Sequence, residues 1–148
     1  MIKEAEIKIS SVIESLDESG LSVGDTEKND STHEGYYHII DGGYFVTYTE
    51  ENEGVKTLSE VKLYPDGRVT VSRSGALESS FLFEEGASHT SLYKVPPYTF
   101  DAEITTRRIR SALTEDGGTL ELIYNMKIGG AVRSARMKIW ISTNSRQN

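Results

Sequence analysis

Arg73 closes the alternating run Val69-Thr70-Val71-Ser72-Arg73 and shares the parity of its two valines. A guanidinium that follows them into an apolar interior needs a partner, because an unpaired buried charge is prohibitively costly. Glu50 has the parity of Val46 and Tyr48, so it can turn inward near the same rim and accept a bidentate bond. Two uses compete for such an arginine. It can anchor the head group of a small amphipathic or anionic ligand, beside Tyr48, or it can form a structural bridge that closes one end of the fold. His89 follows Gly86-Ala87-Ser88 with Glu84 and Glu85 close by, and an imidazole can serve as acid or base near neutrality. No Gly-x-Ser-x-Gly elbow accompanies it, so the competing role is to pin the 86–97 segment, to Tyr93 or to a backbone carbonyl.

Other constellations are weaker. His33 and His38 stand an odd number of residues apart on one extended run, which puts them on opposite faces. Only His89 remains as a further imidazole, so no metal site and no cofactor is expected. Alternation splits Arg107-Arg108-Ile109-Arg110, with Arg108 and Arg110 on one face and Arg107 beside Ile109 on the other. With Arg133, Arg136 and Lys138 they can form a basic strip, but single-stranded nucleic acid would need interleaved aromatics, and Trp140 alone qualifies. Trp140 and Ile123, both outward by parity, mark a candidate contact with another subunit in a homodimer.

The elements that must position these residues follow from composition. Among 148 residues, Val, Ile, Thr and the aromatics number 47, against 20 for Leu, Ala and Met. That balance favours pleated sheet, and the length suits one domain, 1–148. There is no cysteine, which removes disulfides, thiolate nucleophiles and cysteine zinc sites. No apolar run approaches membrane-spanning length, so no membrane partner and a cytoplasmic location are expected. The net charge of −7 divides into −10 over residues 1–60 and +3 over 61–148. An acidic whole argues against general nucleic-acid affinity.

Turn chemistry divides the chain into hairpins. Thr32–Ile40 and Tyr44–Glu50 flank Asp41-Gly42-Gly43, Val55–Tyr64 and Arg68–Ser74 flank Pro65-Asp66-Gly67, and Thr119–Ile128 and Ala131–Ser142 flank Gly129-Gly130. Opposing Tyr64 to Arg68 sets Leu63 on Val69, Val61 on Val71 and Ser59 on Arg73. Opposing Ile128 to Ala131 sets Leu122 on Met137 and Leu120 on Ile139, with a Glu121–Lys138 charge pair on the other face. Ala5–Ile13, Leu77–Glu84 and Thr99–Ser111 add further strands. Asp17–Asp30 reads as an acidic loop, with a short helix at 11–18 conceivable, and Gly86–Pro97 and Leu113–Gly118 read as connections. Residues 143–148 form a C-terminal tail. Eight to ten antiparallel strands joined mainly by tight turns curl and close to remove their edges. The expected fold is all-β, a single-domain up-and-down barrel lined by residues such as Ile7, Tyr37, Val46, Val71, Phe83, Leu122 and Ile139.

The order Arg73-Ser74-Gly75, Phe83-Glu84-Glu85-Gly86, His89-Thr90-Ser91-Leu92-Tyr93 resembles the signature of the YwiB-like family. Gly35-Tyr36-Tyr37, the run Tyr44 to Glu50 and the run Gly117 to Tyr124 extend the likeness from about Asp30 to Ile141. The chain departs from the family at Lys94-Val95-Pro96-Pro97-Tyr98-Thr99, in place of a Thr-Pro-Tyr-Gly kind of turn. It departs again at Ser134-Ala135-Arg136, where an Asn is frequent. The resemblance implies a small bacterial cytoplasmic protein with a calycin, or lipocalin-like, barrel and no established activity. Calycins hold small apolar or amphipathic ligands. Three functions stay open: a non-enzymatic barrel with a ligand at its mouth held by Arg73, Glu50, His89, Tyr93 and Tyr48, a protein-interaction module with a filled barrel, or an enzyme with His89 as acid/base.

Overall fold

A computed structural model describes residues 2–17 and 19–143 of the chain, the side chains at positions 25 and 52 excepted. Ten strands run β1 Ile2–Leu16, β2 Ser22–Ile40, β3 Gly43–Asn52, β4 Val55–Leu63, β5 Val69–Ser74, β6 Glu78–Phe83, β7 Ser88–Val95, β8 Tyr98–Thr114, β9 Gly117–Ile128 and β10 Ala131–Thr143. Each is antiparallel to its sequence neighbours, and β1 pairs with β10, so the meander closes into a barrel without a crossover.

Turn chemistry sets the registers. Asp41 and Gly42 both have positive φ, 49° and 81°, as a two-residue turn of mirror type requires. Ile40 therefore faces Gly43, and Gly43 belongs to the strand. After Tyr64 the amide of Gly67 donates back to the Tyr64 carbonyl at 2.9 Å, and Leu63–Val69, Val61–Val71 and Ser59–Arg73 pair as parity demands. Ile128–Ala131, Leu122–Met137 and Leu120–Ile139 pair likewise. Glu121 does lie opposite Lys138, but its carboxylate reaches Arg136 at 3.8 Å and Arg110 at 3.9 Å, while the Lys138 ammonium sits 5.1 Å from the Trp140 ring.

Alternate residues of every strand meet in one apolar core. Tyr37, Val69, Phe83, Leu122 and Ile7 are sealed from solvent, and the interior residues expected from parity belong to this core or pack against it. Ala5, Ala102, Ile104 and Ala135 complete it. The small ones let neighbouring strands and larger side chains approach.

Three expectations need correction. Asp17–Asp30 is not a loop, and no helix forms at 11–16: β1 runs to Leu16 and β2 begins at Ser22. The turn between them is held by the Asp17 carboxylate, which accepts from the Ser19 amide at 2.9 Å and the Leu21 amide at 3.0 Å. Residues 22–32 are exposed where described, so backbone pairing with β1, not burial, holds this part of β2, and no apolar alternation marks it. The 86–97 segment contains β7, whose His89, Ser91, Tyr93 and Val95 are half-buried while Thr90, Leu92 and Lys94 are exposed. Leu113–Gly118 is strand on both sides of a two-residue turn, Glu115-Asp116. Of the tail, Thr143 ends β10, and 144–148 lie outside the described residues.

Candidate functional site

Arg73 follows Val69 and Val71 along β5 and is half-buried. Its partners across the sheet are Ser59 on β4 and Ser79 on β6, both buried, and these short hydroxyl side chains leave room for the guanidinium between them. Tyr48, 4% exposed, is the cross-strand partner of Ser59. Burial raises the Tyr48 phenol above its ordinary pKa, and the Glu50 carboxylate adds to this, while Arg73 and the Ser59 hydroxyl act in the opposite direction. Tyr124 is also raised by burial and lowered in part by Arg73. The guanidinium thus sits in the field of two buried phenols, on the inner side of the wall.

Arg73, Tyr48 and Glu50 therefore share one end of the barrel. Among the described residues, however, no ion pair joins Arg73 to Glu50. In place of the expected bidentate bridge, Arg73 is flanked by Ser59 and Ser79, and the buried Ser59 Oγ has no hydrogen-bond partner among the described residues. His33, weighed from sequence only as a metal ligand, stacks on Tyr48 with ring centroids 4.6 Å apart and planes at 20°. Its parity with Tyr37 was the available signal. His38 faces outward, 3.4 Å from the Thr47 hydroxyl, so the two histidines do lie on opposite faces.

His89 is elsewhere. Its Nε2 lies 2.9 Å from Glu84 Oε1, just past the end of β6 that pairs with the start of β5, whereas Arg73 pairs with the other end of β6. Glu85 accepts the Ile109 amide at 2.9 Å. Tyr93 contributes its ring to Phe81, centroids 6.1 Å apart. The structure thus brings Arg73, Glu50 and Tyr48 together, sets Tyr93 against the apolar core, and places His89 at the opposite end.

The wall beside Arg73 is thin. β6 and β7 pair at Glu78–Lys94 and Ser79–Tyr93 and no further. A groove of about 530 Å³ passes along this joint, lined by Arg73, Ser79 and Ser91 from the inner side and by Ser74, Glu78, Ser80, Leu92 and Lys94 from the outer. It gives Arg73 a route to solvent through the side of the barrel, with Lys94 and its cross-strand partner Glu78 at the outer edge.

A closed antiparallel barrel of ten strands, packed with apolar side chains and carrying a half-buried arginine on the inner side of its wall, is the class that fold and site define. The chain belongs to the family described as a domain of unknown function, DUF1934, which matches residues 7–140. It is 32% identical over 95 residues to an uncharacterized β-barrel protein, YwiB, of Bacillus subtilis (strain 168). That alignment covers 64% of this chain and 66% of the relative, slightly under two thirds of its length. The crystal structure of the ywiB protein from Bacillus subtilis superposes with a TM-score of 0.82 at 26% identity, covering 96% of this chain and 92% of that one. The resemblance carried by the Arg73, Phe83 and His89 motifs is therefore to this family.

Proposed function

We propose that the chain is a non-enzymatic barrel that binds a small amphipathic or anionic ligand at the end holding Arg73. The observation that carries this reading is a half-buried guanidinium that forms no ion pair among the described residues and lies on a groove to solvent, with Glu78 beside Lys94 at the outer edge. A buried charge left without a counter-ion is costly, and an incoming carboxylate or phosphate would supply the missing charge in bidentate geometry. Tyr48, Tyr124 and the flanking serines offer hydroxyls to the same head group. Leu92 gives apolar surface for the rest of the ligand, with the Tyr93 ring behind it on the inner side. The calycin-like character of the resemblance and a bacterial cytoplasmic setting belong to the same proposal.

A second reading, a protein-interaction module, draws on the apolar cluster that fills the barrel's middle. Native mass spectrometry of the chain purified from its own host separates the two. A co-purifying adduct that disappears in Arg73→Met supports ligand binding. A clean apo mass at dimer size, unchanged in Arg73→Met, favours the interaction module instead.

A further inference from the structure

The outer wall carries a second concentration of positive charge, and it owes its existence to one irregularity in β8. Thr106 is sealed inside and Ile109 packs on the core. Strict alternation cannot turn two residues three apart to the same face. β8 resolves the conflict with a register shift: Thr106 faces Tyr124, Arg108 faces Ile123, and Arg107 is the extra residue. A bulge of this kind puts consecutive side chains on one side. Arg107 and Arg108 are accordingly both exposed, which corrects the alternating arrangement expected from sequence.

Together with Arg136 of β10 they line a groove of about 540 Å³ on the outer face of β8, β9, β10 and β1. Ile123 and Val12 provide its apolar surface, and Ser134, Ala135 and Glu14 complete it. Arg110 shares Glu121 with Arg136 at distances near the limit of an ion pair, 3.9 and 3.8 Å. Among the described residues, Arg107 and Arg108 form no ion pair at all.

We propose that this groove is a binding site for a small molecule bearing a di- or triphosphate, of the nucleoside diphosphate class. Guanidinium forks match phosphate oxygens bidentately and, being weakly hydrated, shed their water to bind them at low desolvation cost. Arg107, Arg108, Arg110 and Arg136 against Glu14 and Glu121 leave a surplus of positive charge that a polyphosphate neutralises. Val12 and Ile123 suit the uncharged part of the ligand, and the volume lies in the range of small-molecule sites. A polynucleotide fits less well, because it asks for free aromatic platforms and Trp140 already carries the Lys138 cation. The site shares no residue with the Arg73 groove, so it stands or falls separately from the proposed function.

Calorimetric titration of the full chain with ADP, AMP and inorganic pyrophosphate tests it, with amide NMR shifts mapping the contact. ADP and pyrophosphate are expected to bind more tightly than AMP and to shift amides of β8 and β10. Arg108→Gln and Arg136→Gln should each weaken ADP binding roughly ten- to a hundredfold, with melting temperatures confirming that both fold, while Arg73→Met leaves it unchanged. Glu14→Gln should strengthen binding by about two- to fivefold. Three results would overturn the proposal: no binding of ADP or pyrophosphate, binding indifferent to both arginine substitutions, or a single-stranded oligonucleotide that binds more tightly than ADP.

Discussion

The two ends of the barrel handle polar groups in opposite ways. At the end where β8 meets β9, side chains reach across the rim to backbone. The Tyr37 hydroxyl donates to the Thr114 carbonyl at 2.8 Å, Lys3 donates to the Glu115 carbonyl at 2.9 Å, and Thr143 donates to the Asp116 carbonyl at 3.0 Å. Nearby, Glu85 holds the amide of Ile109, and Gly86 and Ala87 exchange hydrogen bonds with Thr106. These polar groups are spent on holding strands together. At the Arg73 end, a guanidinium, two phenols and two buried serines gather inside the wall without a carboxylate that neutralises the cation. The contrast separates polar residues that serve the fold from those left available for something else. By that measure His89, engaged by Glu84, sides with the fold.

Substitutions can break this contrast. Tyr37→Ala empties a fully buried site in the stitched end and should cost about 3–5 kcal/mol in chemical denaturation. Tyr37→Phe keeps the ring and removes only the tie to Thr114, so a loss of about 1 kcal/mol is expected. Glu85→Ala, which frees the Ile109 amide at the surface, should cost about 0.5–1 kcal/mol. Arg73→Met at the other end should leave stability within about 0.5 kcal/mol or raise it, since it deletes a half-buried cation without a counter-ion. A loss above about 2 kcal/mol there would give Arg73 the same structural duty as Tyr37, and the contrast would fail.

Alkaline titration sharpens the same point. Tyr37, Tyr48 and Tyr124 all have phenols raised by burial. For an acid whose folded-state pKa is raised, the stabilisation is complete below the unfolded value near 10 and is lost as pH rises beyond it. Melting temperature should therefore fall above about pH 10. Arg73 lowers Tyr48 and Tyr124 but not Tyr37. Followed by phenolate absorbance, Arg73→Met should delay ionisation of the first two phenols and leave Tyr37 untouched.

Legibility from sequence tracked burial. Wherever one face of a strand is covered, as in Val55–Leu63 with Val69–Ser74, alternation and a glycine turn determined the pairing residue by residue. Residues 22–32 lack a covered face, so their composition resembles solvated loop although the backbone is laddered. The bulge at Arg107 was hidden for a related reason. Alternation through Arg107-Arg108-Ile109 is self-consistent until Thr106 is known to be inside. At the candidate site, parity found Arg73, Glu50 and Tyr48. It missed His33, whose neighbours Ser31 and Gly35 supply no apolar signal. It could not reveal that Glu50 leaves Arg73 unpaired, because parity specifies a face and not a distance.

The short ladder between β6 and β7 has a dynamic consequence. Breathing of the closed sheet concentrates at its weakest joint, since local openings occur where the fewest bonds must break together. Within the core-packed wall, deuterium exchange should enter first along the Ser80–Phe83 edge that faces β7, and last along Leu120–Leu122 of β9, which is laddered on both flanks. A guest bound for Arg73 would then slip in sideways between two staves, and the hoop itself would never need to be undone.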